Sequence, residues 1–419
     1  MTDMDARPQT RGIKGLPGVL AATLSTQAVA SWAMLVLAAI APIVAESFEL
    51  PPALIGYQIA IIYGVAMLVS LIAGGFVVRW GACRVSQIAL LACGTGCLIA
   101  TVPSLLAIAV ASISIGFAYG LTNPSAAHLL SRHTSAGNRS FVFSIKQTGV
   151  PIGGIAAGLL TPWIAVTWGW RPAVALLFPV ALFLILLLAP VRALWDRDRQ
   201  PQASFGRNTL GDTGQIIRLP PLRWLCFCSF FFGAIQLCLM TFVVSAVVTE
   251  LAFSALLAGS LLAAVQASGA VGRLSWGFLA DRLQQNALVL AIIGTITTLC
   301  CLAFSRLDPA TPIWLVFTVG MLFGASAIGW NGVFLAEIVR LAPASMAGTA
   351  TGVANFFTFG GILFGPTLFV QLQAWLGSFT ATFTWLAPLA LVGVAFCLLT
   401  LRYGKQSSPK DTASESRPG

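Results

Sequence analysis

Charge is what this sequence has least of. Only 9% of its 419 residues are charged, against roughly a quarter in a soluble domain, so the chain has too little polar surface to dissolve as a globule. Histidine occurs twice and forms no cluster with metal-ligand spacing, so neither a metal nor a cofactor is expected. A phosphate loop of the form G-x-x-x-x-G-K-[ST] is missing, which argues against a primary pump. No plausible nucleophile triad is present either, which argues against a membrane enzyme. The nine cysteines are an odd number; eight fall in apolar runs and Cys83 in an inner loop, so they read as no disulfide framework. The tails and the central linker are short and polar, leaving little for the output domain of a receptor or sensor.

What the chain has instead is hydrophobicity, at 58% of positions, in runs of about 20 residues from end to end. A helix rising about 1.5 Å per residue needs that length to cross a hydrocarbon core of about 30 Å. Twelve such runs begin near Val19, Ala53, Ser86, Leu105, Phe141 and Pro172, then near Leu222, Ala255, Ala287, Pro312, Thr349 and Thr382. The first, from Val19 to Ala45, is longer than the apolar part of a secretory signal and reads as a span. The expected fold is an all-α membrane protein of two six-helix bundles, residues 19–190 and 222–403. A tail (1–18), a linker (191–221) and a second tail (404–419) complete it.

The net charge of +10 gains meaning only from its placement. Arg7, Arg11, Lys14, Arg79, Arg84, Arg132, Arg139, the run from Arg192 to Arg223, Arg282, Arg340, Arg402, Lys405, Lys410 and Arg417 all fall on one predicted side. Arg171 and Arg306 alone fall on the other. That asymmetry puts both termini in the cytoplasm of a cell membrane, of the bacterial inner-membrane type, and makes a nucleic-acid partner unnecessary. The expected surroundings are membrane lipids, and the expected state is a monomer.

The halves repeat. Arg79 and Arg282 stand 203 positions apart, as do Thr148-Gly149-Val150 and Thr351-Gly352-Val353; Pro162 and Pro366 agree within one residue of that offset. Duplicated halves around a midplane site are a common plan among secondary transporters. Glycine pairs such as Gly149/Gly153 and Gly348/Gly352 read as close helix packing, with some hinge role at Pro151, and Asn123-Pro124 as a local helix irregularity.

The string Gly277-Phe278-Leu279-Ala280-Asp281-Arg282 resembles the signature loop of the major facilitator superfamily, and the resemblance covers essentially the whole chain. In that family the carboxylate of this loop helps latch the cytoplasmic gate, which implies gating roles for Asp281 and Arg282. The first half keeps Gly74, Arg79, Gly81 and Arg84, implying a gating role for Arg79, but has Val78 for the Asp and Cys83 for one basic residue. Lys146-Gln147-Thr148-Gly149-Val150-Pro151 and Gly329-Trp330-Asn331-Gly332 are loosely similar to the cyanate-permease branch.

Ionisable side chains at membrane depth are costly, so they mark where function is sought. Lys146 lies seven residues beyond Arg139 and Arg273 nine before Arg282, roughly 10 Å and 13 Å inward from one face on regular helices. The repeat sets Thr349 opposite Lys146 and Ser70 opposite Arg273, so both cations break the pseudosymmetry, as a site for an asymmetric molecule would. The acids Glu46, Glu49, Glu250, Asp281, Asp308 and Glu337 fall near span ends and offer no deep partner. The expectation is a small organic anion, a carboxylate, held between Lys146 and Arg273, with Arg273 in bidentate contact. An arginine at this place also resembles the monocarboxylate and oxalate branches, although the oxalate branch carries its lysine on helix eleven and this chain on helix five.

The plainer alternatives are an Arg273 that bonds backbone carbonyls and a Lys146 that snorkels to the rim. Tyr63, Gln236 and Asn331 are the expected polar contacts and Trp330 an aromatic wall. Gln27, Tyr57, Gln58, Asn123, Gln147, Gln266 and Asn355 read as bonds between helices. His128 reads as interfacial and His133 as a loop residue. A coupled proton would use Lys146, the substrate or a gate residue such as Glu337; anion exchange and uniport stay open. The competing function is multidrug or metabolite efflux, which for cationic drugs calls for an intramembrane acid that the sequence lacks.

Overall fold

The computed structural model describes residues 15–48, 56–203 and 207–406. The starting point at Ala53, Glu49 and the tail cations Arg7, Arg11, Lys14, Lys410 and Arg417 lie outside the described residues. Every regular element among the described residues is helical, as lipid demands: a helix satisfies its own backbone donors and acceptors where no water can.

Among the described residues, twelve helices are long and apolar enough to cross a membrane. They are α1 (Leu16–Ala39), α2 (Tyr57–Trp80), α3 (Ala82–Ala100), α4 (Leu105–His133), α5 (Arg139–Trp168) and α6 (Trp170–Trp195). The second set is α7 (Pro220–Glu250), α8 (Leu256–Leu283), α9 (Asn286–Phe304), α10 (Ile313–Leu341), α11 (Ala347–Leu376) and α12 (Phe379–Tyr403). Their starts fall within four residues of those the apolar runs indicate. Leucine, valine and phenylalanine on the outer faces are exposed, for example Leu68, Leu159, Leu186 and Phe364, which is the surface a bilayer covers. Cys83 belongs to the first turn of α3 and is buried, rather than lying in a loop.

The segment joining α6 to α7 defines one end of the molecule, here termed the linker end. Gly18 and Thr26 of α1 share a groove there with Leu188 and Trp195 of α6, and Thr400 of α12 donates to the Pro221 carbonyl at 3.4 Å. Arg79, Arg132, Arg139, Arg282 and Arg340 all occupy helix termini at this end, whereas Arg171 and Arg306 are at the opposite, far end. The linker is not featureless: residues Arg207–Arg218 form a helix packed on α2, α7 and α11.

Carboxylates at helix ends are spent on capping. Asp196 accepts from the backbone N–H of Cys83 (2.8 Å) and Arg84 (3.0 Å), satisfying the first turn of α3, and Glu250 takes the Thr380 N–H (2.9 Å) at the start of α12. Anionic oxygen at a helix N-terminus meets both the free donors and the positive end of the helix dipole. Gly81 makes the first of these possible. Its φ of 92° is left-handed, and a Cβ there would overlap the Asp196 carboxylate.

Candidate functional site

The two halves meet closely at the linker end. Gly277 of α8 and Gly332 of α10 both press on Ser144 of α5, Gly74 of α2 faces Thr349 of α11, and Gly352 of α11 faces the Ser70 carbonyl of α2; a Cβ at any of the four glycines would overlap its neighbour. Small residues let backbones approach at such crossings. Asp281, at the end of α8, adds a polar tie by accepting from Ser140 N (2.9 Å) and Phe141 N (2.8 Å), the uncapped first turn of α5. The other residues expected at the gate are less coupled across the halves. Arg79 donates to the Ala203 carbonyl of the linker at 3.1 Å, Arg282 is exposed, and Glu337 forms a bidentate pair with Arg340 at 2.6 and 2.7 Å.

Above this closed end lies a cavity of about 170 Å³ that runs from mid-depth toward the far end, where Ile59 and Tyr63 of α2 and Met34 and Leu35 of α1 line it. Among the described residues, seven carboxamides and one guanidinium line it, and no carboxylate does. Tyr63, Tyr119 and Phe359 form one aromatic wall, with ring centroids 5.7 to 6.0 Å apart. Tyr119 and Phe359 escape sequence reasoning because Tyr119 lies between Gly116 and Gly120, a pair that reads as helix packing, and Phe359 in a stretch of phenylalanines.

Arg273 forms part of the cavity floor, and two breaks in the helices hold it. Helix α5 is interrupted at Thr148, and Pro151 has no N–H to give the Gln147 carbonyl; Arg273 Nη1 donates to that carbonyl instead. Helix α10 is interrupted over Ile328 to Trp330, and Arg273 Nε donates to the Ile328 carbonyl at 3.2 Å. The arginine thus bonds carbonyls, as the plainer expectation had it, while also facing the cavity. Because α5 belongs to the first half and α8 to the second, the bond to Gln147 also crosses between them.

Lys146 is 1% exposed and is not among the cavity's lining residues. Its Nζ donates to Gln27 Oε1 (2.8 Å), Asn123 Oδ1 and Gln147 Oε1 (3.3 Å), and these three amides do line the cavity. Gln236 and Asn331 line it as well, with Gln236 Oε1 accepting from Asn331 Nδ2 (2.9 Å) and Trp330 Nε1 (3.0 Å). Trp330 itself is fully buried behind them against Phe232 and Phe334, so it backs the wall rather than forming it. Tyr57 is 66% exposed and Gln58 is buried, both away from the cavity.

The profile of the Major Facilitator Superfamily matches residues 23–366. The chain belongs to that superfamily. It is a multi-pass membrane transporter rather than an enzyme. Solved structures of similar fold include the E. coli fucose:proton symporter, at 14% identity and a TM-score of 0.72 over 91% of this chain and 98% of that one. A human organic anion transporter matches at 14% identity and a TM-score of 0.75 over 91% and 99%. A proton:xylose symporter matches at 16% identity and a TM-score of 0.71 over 91% and 95%. At such identities the likeness is one of fold, and the substrate has to be argued from the site.

Every described carboxylate outside the linker helix is accounted for away from the cavity. Asp196, Asp281 and Glu250 are caps; Asp198 pairs with His128 (2.6 Å) and Arg132 (2.8 Å), and Glu337 with Arg340. Asp308 bonds Thr311 and Ala310 N within its own loop, and Glu46 is exposed at the far end. The two deep cations therefore have amide and carbonyl oxygens around them and no anion among the described residues.

Proposed function

We propose that this chain is a secondary transporter of a small organic anion, a carboxylate, working by alternating access around the cavity floored by Arg273. The observation that carries the reading is the pairing of two buried cations, Lys146 and Arg273, with a lining that among the described residues holds seven carboxamides and no acid. Desolvated positive charge without a counter-ion is costly, and an entering anion offsets that cost where a neutral or cationic solute cannot. The neighbour that carries organic anions agrees with this reading in fold only.

In this reading Arg273 presents its guanidinium to the carboxylate, Tyr63 bounds the apolar part of the substrate, Gln236 and Asn331 orient it, and Trp330 stiffens that pair from behind. Asp281 latches the linker end, with Arg282, Arg79 and the Glu337–Arg340 pair around it. The linker end faces the cytoplasm of a cell membrane of the bacterial inner-membrane type, and the monomer is the working unit. A proton or a second anion is the coupling species.

The test is ligand-induced thermal stabilisation of the purified protein, screening lactate, oxalate, succinate, benzoate, nitrate and cyanate beside glucose and lipophilic cations. A carboxylate at a hundred times its dissociation constant adds about 2.7 kcal/mol to the folded state. Stabilisation by cations or sugars and not by carboxylates refutes the reading.

A further inference from the structure

The position of Lys146 assigns it a task other than touching the substrate. An ammonium group donates three hydrogen bonds and accepts none, so each amide around it must turn its oxygen inward. Gln27, Asn123 and Gln147 all do so. A carboxamide whose oxygen is fixed has its NH2 fixed as well, about 2 Å away and directed elsewhere. Asn123 Nδ2 and Gln147 Nε2 have no partner among the described residues and are not among the sealed-off polar atoms, while both residues line the cavity. Gln27 Nε2 spends one proton on Ser31 Oγ at 3.4 Å and keeps a second.

The floor of the cavity is thereby a surface of N–H donors, flanked by the guanidinium of Arg273, whose Nη2 has no acceptor among the described residues. Left to themselves, three carboxamides would offer donors and acceptors alike and would suit a neutral polyol as well as an anion. With their oxygens taken up by Lys146, they suit a solute whose facing atoms only accept.

We propose that Lys146 is a positioning residue: it locks Gln27, Asn123 and Gln147 with their N–H groups toward the cavity, and those amides, with Arg273, bind the carboxylate oxygens. This rests on the anion reading and deepens it. The selectivity it confers is for a carboxylate over its neutral carboxamide analogue, which presents donors of its own to the same floor.

The experiment measures dissociation constants by calorimetry for lactate, succinate and benzoate, and for lactamide, succinamide and benzamide, on the parent, Asn123→Leu, Gln147→Met, Lys146→Met and Lys146→Arg. Melting without ligand serves as the folding control. Asn123→Leu and Gln147→Met leave the ammonium two amide oxygens each and are expected to weaken carboxylate binding about tenfold, the worth of a hydrogen bond to a charged group. Lys146→Met is expected to erase most of the preference for carboxylate over amide, and Lys146→Arg to restore part of it. If Lys146 fails to tolerate replacement, the two amide variants decide alone.

Carboxylate binding that is unchanged or tighter in Asn123→Leu and Gln147→Met means the ammonium meets the substrate directly, which overturns the positioning role and leaves the anion reading standing. A parent that binds none of the three carboxylates overturns both.

Discussion

Replacing Arg273 by lysine separates what its charge does from what its shape does. Lysine keeps the positive charge but has one donor group on a flexible stem, whereas the guanidinium reaches the Ile328 carbonyl through Nε and the Gln147 carbonyl through Nη1 at once. The Ile328 carbonyl still accepts from Asn331 Nδ2 at 3.4 Å. It is the Gln147 carbonyl that is orphaned when the lysine fails to reach it, with no helical donor to return to because residue 151 is proline. An orphaned buried carbonyl costs about 1–3 kcal/mol in soluble proteins, and hydrogen bonds between membrane helices average about 0.6, so about 1 kcal/mol of ligand-free stability is the expected loss. The planar contact to a carboxylate is lost as well, at about 1.5–3 kcal/mol, or roughly 10- to 150-fold in affinity. Calorimetry with the best carboxylate, beside melting curves with and without it, reads both terms from one preparation. A variant that melts lower but binds within about threefold of the parent would show that Arg273 only ties the broken helices together, and the site proposed around it would fall.

Three further outcomes test the frame around the site. Asp281→Ala removes the cap on Ser140 and Phe141, worth about 0.5–2 kcal/mol, and is expected to shift the population about 2- to 30-fold toward an open linker end. Distances between spin labels at the ends of α5 and α8 report this, and an unchanged distribution contradicts it. Gly352→Val and Gly361→Val introduce the same bulk in two places, against Ser70 of the other half and against Phe230 of the same half. The first should open the linker end, while the second should lower stability by about 1–3 kcal/mol without moving the distances; identical behaviour of the two refutes the assignment of contacts. Asp198 titrates outside the spans. Burial alone would raise its carboxyl, but the hydrogen bond from His128, with the charges of His128 and Arg132, outweighs burial and holds it below the ordinary value. Its stabilising effect is present above the unfolded value near about 3.9 and is lost as pH falls through the lower folded one. The parent should therefore lose more stability than Asp198→Asn below about pH 4, and parallel melting profiles would rule the pair out as a stabilising contact.

The spans were legible because a bilayer imposes a length and a composition that no packing detail can override. Arg273 was legible for a related reason: a guanidinium in an apolar run has few uses, and bonding carbonyls and facing a cavity turned out to be compatible ones. The linker helix Arg207–Arg218 was not legible, since Gly211 and Gly214 and its polar residues mask the spacing of Thr213, Ile216 and Ile217 that packs it. The cap from Asp196 to α3 was equally hidden, because it joins residues more than a hundred positions apart. Lys146 and Trp330 were expected at the cavity surface, and both stand a layer behind its lining residues. Whether a side chain meets the cavity or stands one layer behind it depends on helix rotation, which an apolar run with polar residues on several faces leaves undetermined.

If Arg273 meets the substrate as proposed, the breaks in α5 and α10 connect recognition to movement. A continuous helix keeps its carbonyls, so Arg273 would find no acceptor on either neighbour; the break before Pro151 and the one at Ile328 free the two that hold it. One of these carbonyls is in the first half and the arginine in the second. If the halves rock as rigid bodies, the linker end can open only by parting Arg273 from Gln147, together with Asp281 from the first turn of α5. In the proposed reading, a carboxylate bound at the cavity floor would face the same guanidinium and supply oxygen where the carbonyl withdraws. On that reading the cost of parting the halves would be lower with the anion bound than without it, which is the condition a carrier must meet if only the loaded form is to cross.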